Sequence, residues 1–493
     1  MLLGIDQGTT GTRACLVDDD LTIVRSAYAQ HMQHTPRPGW VEHDPAEIWA
    51  CTQRVIAEVL ATGERVEGVA LANQGETVML WDARTGEPVQ RALVWQDTRT
   101  EPMMARHAKH AMTSATIRDK TGLQPDAYFS ASKLTWLLDQ PGVRAIAASG
   151  YLRAGTIDTW LIDRLTRGEV FATDASTAAR TLLCETRGCT WSQDLLDLFD
   201  TPRGILAEIR DSDADFGACL GNGLDGVPIL ASLVDQPAAM LGQGCVDRGD
   251  VKATFGTGCF VYANAGTTRP DKPAGTLSTV AWRRGGETTY ALDGGVLAVG
   301  SALRWAEKLG LPVDETALAS GGDAWEVGSG AGTVGEGPIC VPALVGLGAP
   351  HWDRIARGAW FGLSAATTGE QLVGALAEGL ACRVVEVVRA VERDSGLAID
   401  VLRADGGLTR SAALMQRTAD LLGIAVEVAS EEEATAVGAC ALAALKLGRI
   451  TIEDVRRRRA RGQARYEPRV PADQRATRLD RFDRALALAR QWR

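Results

Sequence analysis

Leu2-Leu3-Gly4-Ile5-Asp6-Gln7-Gly8-Thr9-Thr10-Gly11-Thr12-Arg13-Ala14-Cys15-Leu16-Val17 opens the chain. An apolar run ending on an acid reads as a strand, Gln7 to Thr12 carry turn chemistry, and residues 13–17 return to strand character. The segment is a predicted hairpin with a small, polar tip. The same style recurs in Val251-Lys252-Ala253-Thr254-Phe255-Gly256-Thr257-Gly258-Cys259-Phe260-Val261-Tyr262-Ala263. This short internal repeat suggests two similar halves, each offering a Gly/Thr loop to one shared cleft.

Outward from these hairpins, strand-like and helix-like segments alternate, the pattern of an α/β protein. Residues 66–72 form a predicted strand that ends at Asn73-Gln74-Gly75-Glu76, and residues 78–81 form another. Asp44 is placed to cap a helix with Pro45 at its first position and Glu47 three residues past the cap, a capping-box spacing. Residues 401–405 read as a strand running into Gly406-Gly407, followed by a helix over 411–422. Glu431-Glu432-Glu433 precedes a further helix, where acids suit the positive helix start. A helix over 237–245 separates the halves. The change of domain is set near residue 246, giving domains 1–245 and 246–493.

At 493 residues the chain exceeds one ordinary core. A net charge of −10 gives no global support for a nucleic-acid partner. The basic run Arg456 to Arg459 with Arg461 follows Glu453 and Asp454, and reads as a solvated helix face. The opening residues have no basic stretch before an apolar core, so no signal peptide is expected. No uncharged run approaches the roughly 18 residues of a membrane span. Ten cysteines without paired spacing fit reduced thiols in the cytoplasm, Cys245 and Cys259 among them as small hydrophobes.

Phosphoryl transfer requires donors for a polyphosphate, oxygen ligands for a divalent cation and a group that orients the acceptor hydroxyl. Gly8-Thr9-Thr10 and Gly256-Thr257-Gly258 supply small residues with free N–H groups and hydroxyl donors. Asp235, in Ser232-Leu233-Val234-Asp235-Gln236-Pro237, sits at a predicted strand end just before a helix. It suits either a carboxylate reaching into a cleft or a helix cap. Asp6 suits a site carboxylate or a turn former. No Gly-Lys-Ser/Thr follows a suitably spaced Gly, and Gly294-Gly295-Val296-Leu297-Ala298-Val299-Gly300 lacks GxGxxG spacing, which argues against a dinucleotide oxidoreductase.

The strings Gly4-Ile5-Asp6-Gln7-Gly8-Thr9-Thr10, Gly39-Trp40-Val41-Glu42-His43-Asp44-Pro45, Gly155-Thr156-Ile157-Asp158-Thr159-Trp160, Asp235-Gln236, Gly256-Thr257-Gly258-Cys259-Phe260 and Asp405-Gly406-Gly407 stand together in one order. By them the chain resembles the FGGY carbohydrate kinases, and within these the glycerol-kinase branch, over residues 2 to about 447. The resemblance implies two actin-like (ribonuclease-H-like) α/β domains around a central ATP and substrate cleft. It implies Mg²⁺ and ATP, with Asp235 as general base and Asp6 and Asp235 as metal ligands. Thr9, Thr10, Gly256, Thr257, Gly300, Arg304, Gly407 and Ser411 would hold the nucleotide. Glu76, Trp95, Tyr128, Asp235, Gln236 and Phe260 would hold a small polyol, glycerol first. A homo-oligomer, dimer or tetramer, is also implied.

Two departures from that branch stand out. Gly75 replaces an Arg that contacts substrate there, which removes donors and is expected to open volume for a four- or five-carbon polyol or a ketose, such as erythritol or xylulose. Arg304 and Ser411 replace Gln and Asn beside the nucleotide. The loop Gly221-Asn222-Gly223-Leu224-Asp225-Gly226 has no Arg, so regulation by a sugar bisphosphate is not expected. An actin-like ATP-binding switch without kinase activity is the remaining alternative.

Overall fold

The structure, a computed structural model, describes every residue except 62, 272, 321–336, 430–432, 461 and 493. Two sheets organise it. The first has the order Ile229–Val234, Gly68–Asn73, Leu2–Gln7, Gly11–Val17, Ile23–Gln30. Leu2–Gln7 pairs antiparallel with Gly11–Val17 on one side and parallel with Gly68–Asn73 on the other. The second sheet has seven strands, and five of them repeat this plan. Their order is Glu287–Val296, Cys259–Gly266, Val251–Phe255, Val401–Asp405, Ala425–Ala429. Val251–Phe255 pairs antiparallel with Cys259–Gly266 and parallel with Val401–Asp405. The two hairpins that echo one another in sequence therefore occupy matching places in the two sheets.

Alternation along each strand feeds two cores. Leu3, Ile5, Ala14 and Leu16 pack with Ile48, Val55, Ile56 and Val59 of helix Pro45–Leu60. Leu2, Cys15 and Val17 join a different cluster, with Ala436, Val437 and Cys440 of helix Ala434–Lys446. Asp44 caps the first of these helices by accepting the Ala46 N–H at 2.9 Å, and Pro45 occupies its first position. The expected capping box does not close. Glu47 accepts the Met32 N–H at 3.0 Å instead, because the chain after strand Ile23–Gln30 brings a free backbone donor to it.

The chain leaves the first sheet at Val234, crosses through helix Asp235–Gly242 and enters the second at Val251. Helix Ala434–Lys446 packs back against Asp235–Gly242 at positions that tolerate no side chain. A Cβ on Gly438 would stand 1.7 Å from the Ala238 carbonyl oxygen, and one on Gly242 would stand 1.9 Å from that of Ala434. Helix Ala434–Lys446 has Glu433 at its cap position, while Glu431 and Glu432 lie outside the described residues.

The basic run is a solvated face only at Arg457, which is exposed and pairs with Asp454 at 3.2 Å. Arg456 pairs with Asp247 at 2.8 Å, and Arg459 pairs with Asp247 at 2.8 Å and also with Asp250. Arg458 is buried and donates to the carbonyls of Gly242 (2.9 Å) and Leu21 (3.0 Å). Its partners come from a helix end and a turn distant in sequence, which local composition cannot reveal. Arg461 lies outside the described residues. All ten cysteines are free and buried. Burial pushes the Cys245 thiol up to about 12 and raises that of Cys259. Among the described residues no helix is long and apolar enough to cross a membrane.

Candidate active site

Asp235 is the first residue of helix Asp235–Gly242, directly after strand Ile229–Val234. Val234 takes the cap position, so the reading of Asp235 as a helix cap is not realised. Its Oδ1 accepts the Gln236 N–H at 2.6 Å. Burial raises the Asp235 carboxyl above its ordinary range, while Lys252 and the Gln236 N–H work against that rise. Asp6, on strand Leu2–Gln7, is pushed up to about 8 by burial and then by the charges of Asp235 and Glu433, with Arg13 opposing. Asp6 Oδ1 is buried without a hydrogen-bond partner among the described residues. Two carboxylates that repel one another, one of them unsatisfied, mark a place built for positive charge.

Each half also carries its Gly/Thr loop. Thr9 Oγ1 accepts the Trp95 Nε1–H at 2.8 Å. Thr10 is exposed, and its hydroxyl lies 3.3 Å from that of Tyr28. In the second loop, the Thr257 carbonyl accepts the N–H groups of Val299 (2.9 Å) and Ser301 (3.1 Å), which ties the tip to helix Gly300–Lys308. A Cβ on Gly300 would lie 2.6 Å from the Gly256 oxygen, 3.3 Å from Leu408 Cδ1 and 3.4 Å from Arg304 Nη1. Gly256, Thr257, Gly300 and Arg304 are thus one neighbourhood, joined to the turn Gly407–Arg410 through Leu408. Gly407 lines a cavity of 760 Å³ together with Arg13, Asp405 and Glu433. The Ser411 hydroxyl is engaged as the cap of helix Ala412–Leu422, accepting the Leu414 N–H at 3.2 Å.

The predicted acceptor residues also gather. The Trp95 ring lies 5.5 Å from that of Tyr128 and 6.0 Å from that of Phe260, both edge to face. Glu76 is buried and accepts Arg180 Nε–H at 2.7 Å. Gln236 Oε1 accepts from Lys252 Nζ, which also donates to Thr254 Oγ1 at 2.6 Å. Burial raises Glu76 despite the neighbouring guanidinium of Arg180.

Volume beside Gly75 is not open, contrary to expectation. A Cβ there would meet Val234 Cγ1 at 3.1 Å, Arg180 Cγ at 3.2 Å and Val234 Cγ2 at 3.3 Å. The missing side chain is visible in the sequence, but the two that close on its place are not. Arg13, Lys252, Arg180 and Asp293 are further site residues outside the sequence-based set. The available signal was charge within apolar runs, as in Val251-Lys252-Ala253, Ala179-Arg180-Thr181-Leu182 and Leu292-Asp293-Gly294.

A duplicated strand plan, with a Gly/Thr loop in each half and an acidic pair on the first sheet and the helix that leaves it, defines a two-domain phosphotransferase of α/β type. Comparison with known proteins narrows this. Residues 1–242 match the N-terminal domain of the FGGY family of carbohydrate kinases and residues 251–447 match its C-terminal domain, so the chain belongs to that family. It is 39% identical to a glycerol kinase of Petrotoga mobilis over 497 aligned positions, covering 100% of this chain and 98% of that one. It is 40% identical to a glycerol kinase of Deinococcus radiodurans over 503 positions, with the same coverage. A crystal structure of Plasmodium falciparum glycerol kinase with ADP superposes with a TM-score of 0.90 at 31% identity, covering 99% of this chain and 98% of that one. A xylulose kinase from Rhodospirillum rubrum gives 0.83 at 26% identity over 99% and 98%.

Proposed function

We propose that the protein transfers the terminal phosphoryl group of ATP to a primary hydroxyl of glycerol, giving glycerol 3-phosphate and ADP. The observation that carries this reading is the acceptor cluster. Trp95, Tyr128 and Phe260 offer aromatic faces for C–H groups, while Glu76, Asp235 and Gln236 offer acceptors and a donor for hydroxyls. Full-length similarity to glycerol kinases supports the same acceptor. The tight wall at Gly75 counts against a site enlarged there for a longer polyol or a ketose.

Asp235 takes the proton of the attacking hydroxyl as its oxygen forms a bond to the γ-phosphorus. The bond from that phosphorus to the β,γ-bridging oxygen breaks, and ADP leaves with the electron pair. A carboxyl raised by burial is a stronger base than an exposed one, and it needs only to be ionised when the acceptor arrives. Thr9, Gly256 and Thr257 present hydroxyl and backbone donors to phosphate oxygens, and Gly300, Arg304 and Gly407 stand beside the nucleotide. Ser411 and Thr10 belong to the same assignment through their loops, although their hydroxyls are engaged elsewhere. Among the described residues no group of three or more His, Cys, Asp or Glu forms a metal site. The orphaned Asp6 Oδ1 and the repulsion between Asp6 and Asp235 nevertheless fit a Mg²⁺ held jointly by these two carboxylates and the phosphates. Held there, the ion would supply positive charge against the phosphates, which would otherwise repel the acceptor oxygen.

The direct test is ATP-dependent formation of glycerol 3-phosphate by the wild type and by Asp235→Asn. The variant is expected to lose about 10²- to 10⁴-fold in kcat, the range for a positioned base. Near-normal turnover would remove Asp235 from the role. Failure of the wild type to use glycerol while using erythritol or xylulose would replace the acceptor. Operation in the cytoplasm as a dimer or tetramer belongs to the same proposal. The buried free thiols support the compartment, and size-exclusion chromatography with light scattering tests the assembly.

A further inference from the structure

Arg180 is a deeply buried cation beside the acceptor cluster, at 1% exposure. Its guanidinium joins two carboxylates from different halves of the chain. Nε donates to Glu76 Oε1 at 2.7 Å, and Nη2 donates to Asp293 Oδ2 at 2.9 Å. Glu76 and Asp293 are each 4% exposed. Asp293 belongs to strand Glu287–Val296 of the second sheet, whose Gly295 pairs with Phe260 of the acceptor wall. The guanidinium carbon lies 5.3 Å from the Phe129 ring centre and 5.8 Å from that of Tyr128. Nη1 is buried with no hydrogen-bond partner among the described residues.

Position 75, a glycine, lies against the stem of this cation. Its Cγ lies 3.2 Å from the Cβ that any other residue at 75 would carry, and Val234 closes the same space at 3.1 Å. Val234 directly precedes Asp235, so a shift of its backbone would reach the site. Two buried carboxylates near Asp235 would repel one another without a shared cation, and a fork-shaped one holds both at fixed angles.

We propose that Arg180 is a positioning residue for the acceptor: it aims the Glu76 carboxylate at the substrate hydroxyl and fixes it to the second sheet through Asp293, with Gly75 leaving room for its stem. This rests on the glycerol-kinase reading above, and the experiment separates the two. The guanidinium acts on the acceptor through Glu76 and does not touch the phosphates. Its effect therefore falls on acceptor affinity and leaves ATP affinity alone.

The test uses the full-length enzyme with glycerol and Mg-ATP. Wild-type turnover of glycerol is measured first; its absence overturns the function and this inference with it. Arg180→Lys keeps the charge but loses the fork. It is expected to raise KM for glycerol by about tenfold or more, with kcat within about threefold and KM for ATP unchanged. Gly75→Ala, which presses on Arg180 without removing it, is expected to give the same signature. Glu76→Gln and the Arg180→Lys/Glu76→Gln double variant complete a cycle. If Arg180 works through Glu76, the double variant is no worse than Glu76→Gln alone. Additive losses would mean that Arg180 meets the substrate directly through Nη1, and would overturn the positioning role. A loss of thermal stability with unchanged glycerol KM in both Arg180→Lys and Gly75→Ala would reduce the triad to a structural contact. Arg180→Met, which leaves two buried acids unpaired, is not relied on because it can fail to fold.

Discussion

Asp158 shows how one buried acid can carry a measurable pH dependence. Its Oδ2 accepts the Thr173 hydroxyl at 2.6 Å and its Oδ1 accepts that of Thr156 at 2.5 Å. Burial, and then the charge of Asp174, pushes it up from 3.8 to about 6 against those bonds. Asp174 in turn receives the N–H groups of Ser176 and Thr177 at 2.8 Å, at the start of the segment that leads to Arg180. A folded-state pKa above the unfolded one means that the native state holds the proton more tightly. The contribution to stability is full below about pH 4 and is lost as pH rises through about 6. Two units correspond to about 3 kcal/mol at 1.36 kcal/mol each. Asp158→Asn cannot ionise, so its stability relative to wild type is expected to improve by about 2 kcal/mol between pH 4 and pH 6, the rest of the change falling outside that window. Urea unfolding at both pH values checks this; a gap that stays constant would mean that Asp158 titrates normally. Asp158 stands in one of the strings that carry the family resemblance, yet its sequence gives no hint of a raised pKa. The cause is Asp174 and a dry surrounding assembled from other strands.

At the level of elements, the crossing of helices Asp235–Gly242 and Ala434–Lys446 sets how firmly the base is held. Their backbones approach closely enough that Cβ atoms are excluded at Gly242 and Gly438, and the atoms in the way are backbone oxygens and a nitrogen that cannot rotate aside. Gly438→Ala is therefore expected to cost about 1–3 kcal/mol of stability, the usual penalty of overpacking. Because Asp235 opens one of these helices, a shift near 1 Å would also reach the reacting oxygen, at a cost of up to about 10²-fold in kcat. Chemical denaturation and steady-state kinetics on the same preparation test both effects. An Ala at 438 with full stability and rate would mean that the crossing is slack. The strands and caps of this region were legible in sequence, because apolar runs, Asp44-Pro45 and Ser411 act locally. The crossing was not, since nothing near Gly438 names Ala238 as its neighbour. The same reason hid the partners of Arg456, Arg458 and Arg459 and sent Glu47 to Met32 rather than to its own helix start.

Across the whole molecule, the hairpin echo at residues 2–17 and 251–263 foretold two matching halves, and the strand order bears this out. What the echo could not supply is how the halves are joined beside the acceptor. One join is the Arg180–Asp293 contact; another is Arg354, from the second half, which donates to Asp126 Oδ2 at 3.1 Å and Oδ1 at 3.0 Å. Asp126 Oδ1 also accepts the Tyr128 N–H at 2.8 Å, so this carboxylate ties the backbone at Tyr128 to the second half. A two-bonded guanidinium pair of this kind fixes geometry as well as charge. Arg354→Gln is expected to release Tyr128 from the second half and raise KM for glycerol by about tenfold, or roughly 1.4 kcal/mol, while KM for ATP stays constant. Asp126→Asn, which keeps an acceptor for the Tyr128 N–H but weakens the pair, should fall between that variant and wild type. Initial-rate kinetics with each substrate varied in turn decides the matter. Equal increases in both KM values would mean that the pair governs closure of the whole cleft, whereas an effect on glycerol alone keeps its action at the acceptor wall.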